Sequence, residues 1–277
     1  MEKLEQLEAL LKEMGGCLVA YSGGVDSAFL AYTAHRILGD ASLAVLADSP
    51  SLPRAELKEA VALANQFGFA LEVIQTAEFD NEDYLTNPPN RCYFCKHALF
   101  ESMERLASQK HFPYLVYGEN ADDVGDVRPG VQAAKAFQVK APLKEIGMTK
   151  AEIRALSAQC GLPTAEKPQM ACLSSRIPHG ERVTPAKLSQ VEEAEKFLKE
   201  CGFFDVRVRH HEMQQGALAR IEIGPSEFSR CLDESLRHQV VDALKALGYH
   251  QVTLDLRAYQ RATHEAGSVG EREAIRS

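Results

Sequence analysis

The chain has 277 residues, 45% of them hydrophobic, which suits one large or two modest domains with a substantial core. No apolar run approaches the roughly 20 residues that span a bilayer, the charged start Met1-Glu2-Lys3-Leu4-Glu5 reads as an amphipathic helix in preference to a signal peptide, and a cytoplasmic protein is expected. A formal charge of −8 speaks against broad contact with nucleic acid, and seven cysteines, an odd number, argue for reduced thiols, metal ligation or catalysis over a disulfide framework.

In chain order, Cys17-Leu18-Val19-Ala20-Tyr21 reads as a buried strand, and Ser22-Gly23-Gly24-Val25-Asp26-Ser27 follows it as a turn into a helix. Two glycines admit backbone angles closed to other residues, so successive N–H groups can turn inward as an anion nest under the positive end of the helix dipole. Ser22 and Ser27 add hydroxyl donors, and Asp26 suits a phosphate site by holding a Mg²⁺ ion that bridges the oxygens. The turn lacks the Gly-Lys-Ser/Thr of the Walker pattern and the three spaced glycines of dinucleotide folds, so a different ATP chemistry is expected.

Strand-like runs at 42–48, 70–75 and 114–117 alternate with helix-like ones, and the helix over 54–66 has Ser51 and Pro53 at its start and Gly68 past its end. That order predicts an α/β fold with a doubly wound parallel sheet over residues 1–163. Such sheets bind ligands beyond the carboxyl ends of their strands, which puts residues 22–27 and Asp48-Ser49 on one rim. The loop Tyr117-Gly118-Glu119-Asn120-Ala121-Asp122-Asp123 joins that rim and runs on to Arg128, making Gly118 and Arg128 candidate nucleotide contacts.

Within Asn87-Pro88-Pro89-Asn90-Arg91-Cys92-Tyr93-Phe94-Cys95-Lys96, a C-x-x-C lies where a loop enters a helix over 96–108, and the helix start, Arg91 and Lys96 would favour thiolates. Alone, the motif is compatible with zinc, redox exchange or coincidence. Cys172, in the non-periodic Gln169-Met170-Ala171-Cys172-Leu173-Ser174-Ser175-Arg176, adds a third thiol. Three thiolates without a fourth soft ligand leave one position of an iron–sulfur cluster open, whereas His97 or His179 would close a zinc tetrahedron. Cys17, Cys160, Cys201 and Cys231 occupy ordinary places for small apolar side chains.

Residues 164–185 read as a proline-containing linker that carries this third cysteine. Beyond it, a helix over 186–201, strands over 203–211 and 217–223, a helix over 227–247 and a strand over 251–258 predict a smaller ferredoxin-like α+β domain, 186–277, fraying after Ala262.

The hexapeptide 22–27 resembles the PP-loop of the N-type ATP pyrophosphatases, which include GMP, NAD and asparagine synthetases and several tRNA sulfur transferases. That resemblance implies cleavage of ATP to AMP and pyrophosphate, with adenylation of a substrate oxygen. Together with NPPNRCYFCK and ACLSSRIPHG, nearly the whole chain resembles the LarE type of ATP-dependent sulfur transferase. This implies conversion of the carboxylates of pyridinium-3,5-biscarboxylic acid mononucleotide to thiocarboxylates, for the nickel-pincer cofactor of lactate racemase. In one branch the cysteine matching Cys172 gives up its own sulfur; in the other, which this chain resembles, Cys92, Cys95 and Cys172 hold a [4Fe-4S] cluster. The resemblance further implies that Arg207, Arg209 and one of Arg257 and Arg261 contact phosphate, with Glu195 or Glu222 near the site. Arg176, four residues after Cys172, is another candidate for anion recognition. A homo-oligomer, a sulfide or other sulfur donor, and lactate racemase maturation proteins are the implied partners. A tRNA thiolase with the same loop and cluster would need a basic RNA-binding surface, which a charge of −8 does not advertise.

Overall fold

The computed structural model describes residues 2–123 and 129–259. From the N-terminus, α1 (Glu2–Met14) leads to β1 (Cys17–Ala20), α2 (Val25–Leu38), β2 (Ser42–Asp48), α3 (Arg54–Phe67) and β3 (Leu71–Gln75). The short α4 (Glu82–Leu85), the long α5 (Arg91–Lys110), β4 (Leu115–Tyr117), α6 (Pro129–Ala136), α7 (Pro142–Glu145) and α8 (Lys150–Gln159) follow. The four strands form a parallel sheet in the order β3-β2-β1-β4.

Side chains alternate across a strand, so β1 serves two cores. Cys17 and Val19 join a cluster with α1, α2 and α3 (Leu7, Phe29, Leu63), while Leu18 packs with Phe100 and Met103 of α5 and Ala133 of α6. Both faces are therefore covered, as an all-parallel sheet requires. The chain leaves β1 through α2 to β2 on one side, whereas β4 pairs on the other. The winding reverses between β1 and β4, which opens a crevice beyond their carboxyl ends.

Two compact units divide at Glu192 and Glu193. In the second, α9 (Pro185–Glu200) contributes Ala194 and Leu198 to a core shared with β5 (Val206–Met213), β6 (Gly216–Ile223), α10 (Glu234–Ala246) and β7 (Gln251–Leu254). Among the described residues its sheet is three-stranded and mixed, β5-β6-β7, antiparallel then parallel. The helix expected over 227–247 is broken. A 3₁₀ segment, Pro225–Leu232, precedes α10, whose start is set by the Asp233 side chain accepting the Leu236 N–H at 2.7 Å. No helix among the described residues is long and apolar enough to cross a membrane.

Candidate active site

The turn after β1 is built tightly. Gly23 has φ +73°, and a Cβ there would lie 2.9 Å from Cβ of Ala60, so both conformation and space demand glycine. Ser22 and Ser27 hold the turn on itself: the Ser22 N–H donates to Ser27 Oγ at 3.1 Å, the two hydroxyls meet at 3.0 Å, and Ser27 Oγ donates to the Gly24 carbonyl at 3.1 Å. Gly24 precedes α2 without any side-chain cap. The first N–H groups of α2 therefore keep their donors for an anion at the crevice.

Asp26 lies in the first turn of α2. Its Oδ2 accepts from Lys150 Nζ at 2.5 Å, while its buried Oδ1 has no partner. Burial pushes the Asp26 carboxyl above its usual range, and Lys150 only partly offsets this. An unpartnered, desolvated carboxylate oxygen in an anion-binding turn fits a hard divalent cation, so these residues suit Mg²⁺ held by Asp26. Lys150 escapes sequence reasoning because nothing in its spacing joins it to residue 26. It stands at the start of α8, which Thr149 and Glu152 close with a reciprocal capping box, and its own N–H donates to Asp122 Oδ2 at 2.7 Å.

The loop after β4 presses on the same turn. A Cβ on Gly118 would come within 2.8 Å of the Ser27 backbone nitrogen. Beside it, burial works against ionisation of Glu119, but bonds from Lys144 (2.8 Å) and the Tyr117 hydroxyl hold its carboxyl below the usual range. On the third rim segment, the Asp48 carboxylate is gripped by Arg54 and accepts from Gln75 Nε2 at 3.0 Å. Arg128 lies outside the described residues.

The cysteine helix starts earlier than expected, at Arg91 instead of residue 96, because the Arg91 N–H bonds back to the Pro88 carbonyl at 2.9 Å. Cys92 and Cys95 thus share one face of the first turn of α5. Both, like Cys172, are free thiols; Cys92 and Cys172 are exposed and Cys95 is half-buried. The Cys95 thiol titrates above its ordinary value, against the expectation of a favoured thiolate. Burial is the main cause, followed by the nearby acidic groups Glu78, Cys172 and Cys92, and the Arg91 charge does not outweigh them. The Tyr84 hydroxyl is likewise raised by burial and by both Cys95 and Cys172. The three thiols therefore occupy one electrostatic neighbourhood, although they are 77 residues apart at the widest gap between neighbours in sequence.

Among the described residues, no group of three or more His, Cys, Asp or Glu side chains converges to hold a single metal ion. Ligands of a cluster each bind a different iron and so stand wider apart than those of one ion. The His97 ring packs edge-on to Phe137 at 4.8 Å, and His179 Nδ1 donates to the Asn87 carbonyl at 3.3 Å. Three free thiols are the donor set that a cluster with one open iron would take, and His97 or His179 remains the alternative fourth ligand of a zinc site.

Two charged side chains nearby gain their surroundings only through the fold. Lys96 Nζ lies 5.1 Å from the centre of the Tyr117 ring, joining the cysteine helix to the β4 rim, and burial pushes its pKa down. Glu78 is 1% exposed, and neither carboxylate oxygen has a hydrogen-bond partner. Arg176 turns inward, 1% exposed, and its Nη1 donates to the carbonyls of Ala171 (2.7 Å) and Cys172 (3.0 Å) and to Ser175 Oγ (3.0 Å). It grips the turn that carries Cys172.

In the second unit, Arg209 pairs with Glu222 at 2.8 Å across β5 and β6, and Glu222 also receives Arg220 at 2.9 Å. Arg207 is buried, its guanidinium 4.9 Å from the Tyr259 ring centre and its Nη1 donating to the Val206 carbonyl. Glu195 accepts the buried Val208 N–H at 3.1 Å. Arg257 is 93% exposed, and Arg261 lies outside the described residues.

The NAD synthase family model matches residues 4–84, the segment that holds β1, the glycine turn and β3. Over 258 residues the chain is 42% identical to an uncharacterised protein of Synechocystis sp., covering 93% of this chain and 95% of that one. It is also 31% identical, over 93% of its length and 92% of the relative's, to the pyridinium-3,5-bisthiocarboxylic acid mononucleotide synthase of Lactiplantibacillus plantarum. The chain belongs to the LarE family. Like other PP-loop proteins, this LarE-family chain is an ATP-utilising enzyme. A more distant likeness, 27% identity over 71% of the chain and 67% of the relative, joins it to a component of the glutamine-hydrolyzing GMP synthase of Methanopyrus kandleri.

Proposed function

We propose that this protein is an ATP-dependent sulfur transferase that turns carboxylates of a pyridinium dicarboxylate mononucleotide into thiocarboxylates. The observation that carries the reading is geometric: Arg91, next to Cys92, bonds the Ser174 carbonyl two residues from Cys172 at 3.1 Å, which brings the two cysteine-bearing segments together on the unit that also holds the PP-loop. The product for which the Lactiplantibacillus plantarum relative is named, a bisthiocarboxylic acid mononucleotide, supports the substrate class.

ATP lies with its phosphates at the N–H groups that open α2, where Asp26 would hold a Mg²⁺ ion that offsets their charge. A substrate carboxylate oxygen attacks the α-phosphorus, pyrophosphate leaves, and an acyl adenylate forms. Gly118 permits the close approach of the β4 loop that frames this reaction. Hydrosulfide then replaces AMP at the acyl carbon, giving thiocarboxylate, AMP and one proton. Cys92, Cys95 and Cys172 would hold a [4Fe-4S] cluster, which when bound would supply the sulfur, and the three cysteines would then act as ligands that outlast turnover. Arg207, Arg209 and one of Arg257 and Arg261 bind the substrate's phosphate, arginine's fork being matched to that group. Arg176 serves instead by holding the Cys172 turn.

Anaerobic reconstitution tests this reading, with iron per chain and product mass measured after addition of ATP, sulfide and the dicarboxylated nucleotide. Several thiocarboxylates per iron-loaded chain, with unaltered Cys172, are expected. Sulfur transfer limited to one equivalent per iron-free chain, with Cys172 losing its sulfur, would overturn it in favour of the sacrificial route.

A further inference from the structure

The spacing of Cys92 and Cys95 is set by one turn of α5, but Cys172 is placed by tertiary contacts alone. Its turn, Leu173–Arg176, is anchored from two directions. The Leu173 N–H donates to the Ser51 carbonyl at 2.8 Å, and Ser174 Oγ meets the Tyr84 hydroxyl at 2.9 Å. From the cysteine helix, Arg91, the residue before Cys92, donates Nη1 to the Ser174 carbonyl at 3.1 Å and to Asn87 Oδ1. Asn87 extends the link. Fully buried and held at φ +56°, it donates Nδ2 to the carbonyls of Ile177 (3.2 Å) and Pro178 (2.7 Å), and its own carbonyl accepts the Gly180 N–H at 3.0 Å.

Arg91 is only 5% exposed. A guanidinium that far from water persists where fixed acceptors meet it, and here both acceptors of its Nη1 belong to the two chain segments that carry the thiols. A left-handed asparagine is also uncommon and holds only where its surroundings over-determine it. The same two segments are joined at the surface by Arg182 and Glu82, a pair with side chains 50% and 71% exposed. That outer pair is a natural control, since it ties the segments without touching the turn beside Cys172.

We infer that Arg91 is a positioning residue: shared between Asn87 and the Ser174 carbonyl, its guanidinium sets the reach from Cys172 to the Cys92 and Cys95 pair. The inference rests on the reading that the three cysteines act as one site.

The test uses the full chain, metal-free and reduced, treated with a short bifunctional thiol reagent. The fraction of Cys172 bridged to Cys92 or Cys95 is read by peptide mass mapping, alongside melting temperature and iron per chain after anaerobic reconstitution. Arg91→Lys keeps the charge but replaces the planar guanidinium with a differently placed ammonium, Arg91→Gln loses both charge and guanidinium, and Arg182→Gln removes the outer pair. In both Arg91 variants, bridging and iron retention should fall by about tenfold, the scale of losing one charge-assisted hydrogen bond; Arg182→Gln should match the wild type. Folded Arg91 variants that bridge and load like the wild type would overturn the inference alone, as would an equal fall in Arg182→Gln. A wild-type chain that neither bridges nor loads iron would instead remove the three-cysteine reading beneath it. Should Arg91→Gln not fold, Arg91→Lys decides.

Discussion

Gly118→Ala tests whether the β4 loop and the glycine turn form one nucleotide-binding surface. The added Cβ would stand 2.8 Å from the Ser27 nitrogen, 3.0 Å from the Asp26 carbonyl carbon and 3.1 Å from the Ser27 Cα, all of them backbone. Ordinary contact begins near 3.4 Å, so the loop and the start of α2 must separate by 3.4 − 2.8 = 0.6 Å. No flexible side chain can absorb that movement. Overpacking of this kind costs about 1–3 kcal/mol of stability. Its larger effect falls on chemistry, because a shift approaching ~1 Å in the groups that position reactants can cost roughly 10²-fold in rate. Pyrophosphate release with ATP and the dicarboxylated nucleotide should therefore fall by about 10–100-fold, with a melting temperature lower by about 2–12 °C on the scale of ~2–4 °C per kcal/mol. An alanine variant with wild-type melting and wild-type pyrophosphate release would refute the argument, since it would mean the two segments do not need their present approach.

Asp26→Asn should separate stability from activity. Burial raises the Asp26 pKa, so between the ordinary carboxylate value and the raised one the folded chain binds more proton than the unfolded chain, and stability falls as pH rises through that window. In Mg²⁺-free buffer the asparagine variant should lose this fall, melting above the wild type at neutral pH and converging with it in acid, while pyrophosphate release drops by about 10²-fold or more; parallel melting curves across the pH range would contradict this. Glu78→Met removes two orphaned oxygens from a site 1% exposed, and replacing an unsatisfied polar group by an apolar one of like shape is neutral or stabilising. Calorimetry of the metal-free chain should show a melting temperature equal to or above the wild type's, and a marked drop would refute this.

Much of the first unit is legible because its signals are local. The run from Cys17 to Tyr21, the two glycines after it and the alternation of strand and helix over 42–75 report backbone geometry that neighbouring residues settle among themselves. The start of α5 lies more than a turn ahead of the one expected from sequence because its first bond, from the Arg91 N–H to the Pro88 carbonyl, forms behind two prolines that read as loop. The long helix expected over 227–247 does not form, for a similar reason: apolar periodicity continues across Asp233, but that side chain bonds the Leu236 N–H and restarts the helix there.

The amino-acid order alone determined which chemistry is available: a glycine turn for phosphate, a carboxylate beside it, and three cysteines spare of structural duty. Tertiary structure decided what each of these meets. Lys150 reaches Asp26 from 124 residues away, Arg91 reaches the Cys172 turn across 83, and Arg176 turns inward where its place in the sequence suggested a ligand. The reason is physical. Propensity and periodicity act over a few residues, whereas the charge balance at a site depends on side chains brought together through space, and on how much water their packing removes.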